Sequence, residues 1–320
     1  MKIGSLVVLG LCACGEVTDP NKLPDAPLQQ DGSNGDADID APPVDAPPPR
    51  CDPSKPFGAP TPVTQLNSNA QDLAPWLTAD ELTVYFASTR AGGVGGFDIY
   101  TATRASRSDV WGAPALVAGV NTINNEMRPT LTGDGLTMYA EQETNGGPTR
   151  QIAVATRSST SASFSALSQV AALNDADIDA SPYVLPDHSA LYMTSRRGGA
   201  NNIQVYRATR TNSVFGTPAL VAGTMLDVFD DHISVALTPD ELTLYFASSR
   251  TGGLGGIDVW VATRTSLALG FGTPAAVTAV NGANNDTPFW ISADNCVMYM
   301  TQIVGTTAAF NRIFVATKPL

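Results

Sequence analysis

The segment APWLTADELTVYFASTR at residues 74–90 decides the fold, because it returns four more times. The best copy is SVALTPDELTLYFASSR at 234–250, and weaker copies lie at 128–144, 181–197 and 287–303. A central tyrosine aligns all five copies at spacings of 54, 53, 53 and 54 residues: Tyr85, Tyr139, Tyr192, Tyr245 and Tyr299. A period of this length is typical of a supersecondary unit that buries its apolar face only by stacking on its neighbours.

Each unit predicts four short strands. Strand a surrounds 75–77, a turn with an aspartate follows, and strand b is LTVYFAS in the first copy. A glycine-rich hairpin such as AGGVGG at 91–96 leads to strand c, DIYTATR, and strand d follows an FGAP-like signal. Such units predict an all-β, five-bladed β-propeller with four-stranded antiparallel blades.

The order of the strands also predicts how the ring closes. The first repeat is preceded by a lone strand d, from Phe57 to about Leu66, and the last repeat ends with strand c, RIFVATK. The N-terminal strand should therefore complete the last blade. Cys51 lies just before this strand and Cys296 lies in the last blade, so we predict a disulfide between them; two free thiols are the alternative.

The N-terminal residues have a different character. Residues 1–14, MKIGSLVVLGLCAC, hold one lysine and an apolar stretch too short to span a bilayer, which is typical of a signal peptide. Residues 15–50 are rich in proline and aspartate and carry a net charge of −6, half of the −12 of the whole chain. We expect a disordered tether there, followed by the propeller at 51–320.

Two resemblances to known families follow. Leu11-Cys12-Ala13-Cys14 resembles the bacterial lipobox, which implies lipidation of Cys14, with Cys12 or an ordinary secretory cleavage site as alternatives. Residues 57–320 resemble the WD40-like propeller repeats of the TolB family. The family resemblance implies a β-propeller outside the cytoplasm, and the lipobox resemblance adds a lipid anchor in a membrane of the bacterial cell envelope, with the propeller facing the periplasm or the cell surface. We expect the propeller to be monomeric. The family resemblance also bears on function. It usually implies a binding or scaffolding module.

One recurring pair of polar positions gives a candidate site. An acidic residue or histidine lies eight residues before each turn aspartate, and an amide or aspartate lies five residues earlier again. These loops should surround one mouth of the channel, where a ring of oxygen ligands could bind Ca²⁺ or a cationic group of a partner. Ordinary loop chemistry is the alternative. The candidates are Asp72, Glu126, Asp179, Asp231, His232, Asp286, Asn67, Asn121, Asn174, Asp227 and Asn281.

A second recurring set has a structural interpretation. Ser88, Arg90 and Asp98 recur as Ser248, Arg250 and Asp258, without a histidine. We predict an Arg–Asp ion pair that ties the hairpin between strands b and c.

The sequence leaves three functions open. We expect a non-catalytic, lipid-anchored binding propeller whose partner is an envelope protein, a peptide or cell-wall glycan. A glycoside hydrolase is the first alternative, with Trp76 or Trp290 as a sugar platform; it needs two carboxyl groups in different environments. A structural docking subunit of an envelope complex is the second. The net charge of −12 argues against nucleic acid as a partner.

Overall fold

The computed structural model describes residues 49–143, 149–197, 203–223, 234–305 and 310–320. The predicted signal peptide, nearly all of the predicted tether, Cys14, Asp227, Asp231 and His232 lie outside the described residues. Pro49–Leu320 forms one compact unit.

Five antiparallel sheets make up this unit, as the repeat predicts. Blade 1 contains β2 (Asp72–Leu77), β3 (Thr83–Ser88), β4 (Asp98–Thr103) and β5 (Ala115–Leu116). Blade 2 contains β6 (Asn125–Leu131), β7 (Thr137–Glu143), β8 (Arg150–Thr156) and β9 (Ser168–Gln169).

The third and fourth blades follow the same order. Blade 3 contains β10 (Asp179–Val184), β11 (Ala190–Ser195), β12 (Gln204–Thr211), β13 (Val214–Phe215) and β14 (Ala219–Leu220). Blade 4 contains β15 (Val235–Leu237), β16 (Thr243–Ser248), β17 (Asp258–Thr263) and β18 (Ala275–Ala276). The extra strand of blade 3, β13, forms a short hairpin with the end of β12, which the four-strand prediction did not include.

Blade 5 closes the ring. It contains β19 (Asp286–Ile291), β20 (Val297–Val304), β21 (Phe310–Thr317) and, from the other end of the chain, β1 (Thr61–Pro62). β1 pairs with β21 with Thr61 opposite Val315, which confirms the predicted closure. The closing strand is shorter than predicted, and Phe57 instead packs edge-on against Tyr245 at 6.0 Å between ring centroids.

The closure is fixed covalently and by charge. Cys51 and Cys296 form the predicted disulfide, and both residues are buried. The neighbouring Arg50 lies 2.6 Å from a carboxylate oxygen of Glu81 and 2.6 Å from one of Asp294. The segment just before β1 is therefore held to the turn between β2 and β3 of blade 1 and to the turn between β19 and β20 of blade 5.

Two further repeated signals have structural roles. Each turn aspartate accepts the backbone N–H of the residue two positions on, as Asp80 does from Leu82 at 2.9 Å, which confirms the predicted capping. Arg104 stacks over the ring of Trp111 at 4.4 Å, and Arg157 and Arg264 stack over Phe164 and Phe271 at the same distance. The arginine that ends strand c thus covers the aromatic residue that precedes strand d.

The first strand of several blades carries a bulge. The register shifts between Leu73 and Trp76, and the same shift occurs in β6, β10 and β19. In three blades a non-glycine residue at the bulge adopts a left-handed conformation, with φ of 56° at Ala74, 50° at Arg128 and 50° at Ser181. A bulge of this kind redirects a side chain, and here it does so where the first strands meet at the centre of the ring.

Candidate functional site

The described asparagines of the predicted ring have structural partners. Asn121 accepts the backbone N–H of Ile99 at 2.7 Å and donates to the carbonyl of the same residue at 3.0 Å. The same pair of hydrogen bonds, with the amide both accepting and donating, joins Asn67 to the backbone of Ile313, Asn174 to that of Ile152 and Asn281 to that of Val259. Each amide therefore replaces a missing strand partner beside strand c of the blade that has just been completed.

The described carboxylates of the ring are buried and bonded within their own loops. Asp72 accepts the backbone N–H of Ser68 at 2.5 Å and the hydroxyl of Ser88 at 2.7 Å. Glu126 accepts the backbone N–H of Thr122 at 2.9 Å and the side-chain amide N–H of Gln142 at 3.1 Å. Asp179 and Asp286 accept the backbone N–H of Asp175 and Gly282, both at 2.6 Å. These groups fasten the loop between blades to the start of strand a.

These contacts do not support a Ca²⁺ ring. Within the ranges described above, no three His, Cys, Asp or Glu side chains come together in an arrangement that could hold a metal ion. The four described carboxylates, Asp72, Glu126, Asp179 and Asp286, are no more than 1% exposed and belong to four different blades.

The predicted Arg90–Asp98 pair is wrong. Arg90 lies 2.6 Å from Asp72, because Asp72 and Ser88 are opposite each other in the β2–β3 register and Arg90 follows Ser88 by two residues. Asp98 instead accepts the N–H groups of Val94 and Gly95 in its own hairpin. A Cβ at Gly93 would lie 2.1 Å from Asp98 Oδ2, so this loop requires glycine.

Blade 5 lacks the corresponding arginine. Val304 occupies the repeat position of Arg90 and Arg197, so Asp286 receives hydrogen bonds from Gly282 and the side chain of Gln302 but lies outside any guanidinium pair of the described residues. Burial raises the pKa of Asp286 from its usual 3.8 to about 6, although these two hydrogen bonds oppose the rise.

We predict that Asp286 makes the domain less stable as the pH rises from 4 to 7. A raised folded-state pKa means that the folded chain binds the proton more tightly, so stability falls between the unfolded value of 3.8 and the folded value of about 6. Asp286→Asn should remove about 2 kcal/mol of this pH-dependent loss, measured by urea unfolding at pH 4.5 and pH 7. Asp72→Asn is the matched control, and it should destabilise the domain because it removes the partner of Arg90. Equal pH dependence in the wild type and Asp286→Asn would contradict the prediction.

The first strands of three blades open onto a cavity at the centre of the ring. Its volume is about 330 Å³, within the range of small-molecule pockets. The apolar wall consists of Leu73, Phe97, Met127, Phe289 and Ile303. Amide and hydroxyl groups interrupt this wall, among them those of Gln71, Asn285, Thr287 and Asn311. We call this space the channel-mouth cavity.

A second, much smaller void shares lining residues with the channel-mouth cavity. It has a volume of about 10 Å³, and residues of the first strand, or just before it, in all five blades line it. Arg128 and Phe289 line both spaces. These two residues therefore lie between the channel-mouth cavity and the smaller void.

The charged side of the channel-mouth cavity comes from blade 2 alone. Arg128 donates to Glu141, which is fully buried, and Arg150 lies 3.5 Å from the other oxygen of Glu141. The backbone N–H of Ser181 also donates to Glu141, at 3.1 Å. Burial alone would raise the pKa of Glu141, but the charges of Arg128 and Arg150 and these hydrogen bonds hold the pKa below its usual value. Glu141 is therefore a carboxylate at neutral pH.

Arg128 is under-satisfied in this network. It is 8% exposed, its Nε has no hydrogen-bond partner among the described residues, and its backbone has a φ of 50°. The left-handed φ belongs to the repeated bulge, since Ala74 and Ser181 share it, whereas the buried unpaired donor is a cost in free energy that is particular to Arg128.

Sequence reasoning missed these residues. The positions equivalent to Glu141 hold Ala87, Thr194, Ala247 and Thr301, and those equivalent to Arg128 hold Ala74, Ser181, Ser234 and Pro288. The signal in the sequence is a matched pair of opposite charges in one copy only, which departs from the repeat and so is invisible to an alignment of recurring positions.

The proposed sugar platform is not present. Trp76 and Trp290 are each 6% exposed, and Trp290 packs edge-on against Tyr299 at 6.1 Å. The aromatic residues that line the channel-mouth cavity are Phe97 and Phe289.

Among the residues that the structure describes, no helix is long and apolar enough to cross a bilayer. The disulfide between Cys51 and Cys296 suggests an extracytoplasmic location, because such bonds persist in oxidising compartments.

Comparison with known proteins extends the fold assignment. No family model and no curated protein sequence matches the chain. Among solved structures, TolB from Acinetobacter baumannii is similar with a TM-score of 0.51 and 17% identity, over 80% of this chain and 56% of that chain. The chain thus corresponds to little more than half of that protein.

Two glycoside hydrolases are also similar. A thermostable family-43 glycoside hydrolase has a TM-score of 0.54 and 12% identity, over 80% of this chain and 91% of that one. A GH62 hydrolase in complex with xylotriose has a TM-score of 0.54 and 9% identity, over 82% of this chain and 97% of that one. At identities this low, the structural similarity shows a shared propeller fold and nothing further. TolB and the glycoside hydrolases both have this fold.

Proposed function

We propose that this chain is a non-catalytic binding propeller of the bacterial cell envelope, held to a membrane by a lipid on Cys14, with its ligand in the channel-mouth cavity. The cavity carries this proposal: it combines 330 Å³ of space, an apolar wall and a few polar groups, as small-molecule sites do. The disulfide and the lipobox-like sequence support the location.

The carboxylates near the cavity favour binding over glycoside hydrolysis. Hydrolysis needs a protonated carboxyl group as acid beside an ionised one as base or nucleophile. Glu141 is buried between Arg128 and Arg150 with a lowered pKa, so it is a poor acid. Glu143 lines the cavity 4.0 Å from Arg150. Asp286 has a raised pKa, but it is bonded within its own loop and is not part of the cavity lining.

The test is a ligand-observed NMR screen of the full chain against small acids, monosaccharides, disaccharides and short peptides. Ile303→Trp should fill the cavity and abolish the signals, because Ile303 lies on the cavity wall. Val214→Trp is the matched control, since Val214 is 64% exposed in β13, away from the cavity, and its substitution should change nothing.

Three results would contradict the proposed binding function. The proposed binding site would be wrong if the screen found no ligand, or if the ligands bound Ile303→Trp as well as they bind the wild type. Turnover of an aryl glycoside that is lost in Glu143→Gln would replace binding by hydrolysis. A stoichiometric protein partner recovered from detergent-solubilised membranes, with an empty cavity, would favour the structural docking role.

A further inference from the structure

The polar groups of blade 5 indicate which class of ligand fits the channel-mouth cavity. This inference rests on the proposed function, since it names the ligand class of the same cavity. Asn285 lies just before β19 and lines the cavity. Its Oδ1 accepts the backbone N–H of Ile257 at 3.1 Å, which identifies the other atom of this amide as the donor Nδ2. Among the residues that the structure describes, this Nδ2 has no hydrogen-bond partner.

The equivalent amide of blade 2 shows which partner is missing in blade 5. Asn125 accepts the backbone N–H of Phe97 at 2.8 Å in the same way, and its Nδ2 donates to Glu143 at 3.4 Å. Ile303 occupies the repeat position of Glu143 in blade 5, and an isoleucine side chain accepts no hydrogen bond. The Nδ2 donor of Asn285 is therefore left for a ligand.

A hydroxyl group lies on the same side of the strand as this donor. Thr287 follows Asn285 by two positions, so the two side chains point to one face of the sheet, and both residues line the cavity. The Thr287 hydroxyl also lacks a hydrogen-bond partner within the described ranges. Unlike Arg128 Nε, neither atom belongs to the fully buried polar atoms without a partner, so both are open to the cavity. The cavity thus offers one N–H donor and one hydroxyl that can also accept.

The charged groups of blade 2 favour an uncharged ligand. Arg128 donates to Glu141, and Arg150 lies 3.5 Å from Glu141 and 4.0 Å from Glu143. Two positive and two negative charges therefore cancel within one blade. A charged ligand would lose its hydration in the cavity without meeting an unbalanced charge of opposite sign, and burial of an unpaired charge costs free energy.

An amide attached to an apolar body matches these features. Its carbonyl oxygen accepts a hydrogen bond and its N–H donates one, as Asn285 Nδ2 and the Thr287 hydroxyl require. The apolar wall, which includes Leu73, Phe97 and Phe289, would be covered by an aromatic or branched group, with release of water.

We propose that the channel-mouth cavity binds an uncharged amide with an apolar body, with the amide at Asn285 and Thr287 and the body against Phe97 and Phe289. This chemistry is shared by the interior of a peptide and by a small free amide.

The test is isothermal titration of the full chain at neutral pH with 3-phenylpropionamide, 3-phenylpropionate and 3-phenylpropylamine, which share one body and differ in charge. The amide should bind with a submillimolar Kd, and the acid and the amine at least tenfold more weakly. Asn285→Asp keeps an oxygen for the N–H of Ile257 and removes Nδ2, so it should weaken the amide at least tenfold. Thr287→Val keeps the shape without the hydroxyl and should weaken the amide at least threefold.

Asn295→Asp is the matched control for Asn285→Asp. It makes the same change of charge in the turn between β19 and β20, outside the cavity lining, where Asn295 Oδ1 accepts the hydroxyl of Tyr245. The control should bind the amide as the wild type does.

N-acetylphenylalaninamide separates the two sources of the amide. If it binds at least as tightly as 3-phenylpropionamide, the site is assigned to a peptide segment, and weaker binding assigns it to a small free amide; either result supports the proposal. Binding of the acid or the amine as tight as that of the amide, unchanged affinity in Asn285→Asp, or no binding of any of these probes overturns it. Ligands from the NMR screen that depend on Ile303 but not on Asn285 would overturn this inference and leave the proposed function standing.

Discussion

Replacing Cys51 and Cys296 together with alanine should lower the free energy of unfolding by about 4 to 5 kcal/mol. The bridge joins residues 245 positions apart, so it restricts nearly the whole unfolded domain, and chain-entropy models give long loops an effect of this size. The closing segment is also held without the disulfide, because the N–H groups of Asp52, Gly58 and Val63 donate to the carbonyls of Pro319, Thr317 and Ile313. The expected loss therefore comes mainly from the greater freedom of the unfolded chain. Urea unfolding of the oxidised wild type and the double variant measures the difference.

Reductant provides the control for this experiment. It should destabilise the wild type to about the level of the double variant and leave the double variant unchanged. A loss below about 1 kcal/mol would show that the Arg50 ion pairs and the β1–β21 pairing close the ring without the disulfide.

The second large effect should come from the charges in blade 2. Arg128→Ser and Glu141→Thr each give blade 2 the residue that blade 3 has at the equivalent position, Ser181 or Thr194. Either single change leaves a buried charge without its main partner and should cost about 3 to 5 kcal/mol. The double variant should lose at least about 2 kcal/mol less than the sum of the two, measured as a double-mutant cycle by urea unfolding.

Glu143→Gln is the control for this cycle. Glu143 is partly exposed and lies 4.0 Å from Arg150, so its loss should change stability by less than about 1 kcal/mol. Strict additivity of Arg128→Ser and Glu141→Thr would show that the pair is not coupled, and the charged side of the cavity would then need another explanation.

The fold could be predicted from the sequence because the repeat constrains it five times over. The repeat spacing gave the number of blades, the order of strands c and d gave the closure, and the positions of Cys51 and Cys296 gave the disulfide. The turn aspartates were predicted correctly because a carboxylate two residues before an N–H is a local interaction.

The candidate site could be predicted only in part, because it depends on contacts across strands. The bulge in β2 and the opposition of Asp72 and Ser88 decide that Arg90 pairs with Asp72 rather than with Asp98. Similarly, Arg128 and Glu141 are 13 residues apart and become partners only because β6 and β7 form one hairpin with a bulge at Arg128. The positions that repeat are therefore those that build the scaffold. The charged side of the cavity comes from Arg128 and Glu141, which occur in blade 2 only.

The most direct test of the cavity as a binding site is a crystal structure of the full chain with a ligand that the NMR screen identifies. We predict electron density for this ligand in the channel-mouth cavity, in contact with Phe97 and Phe289. Density for the ligand elsewhere on the propeller, with a cavity that contains only water, would contradict the account.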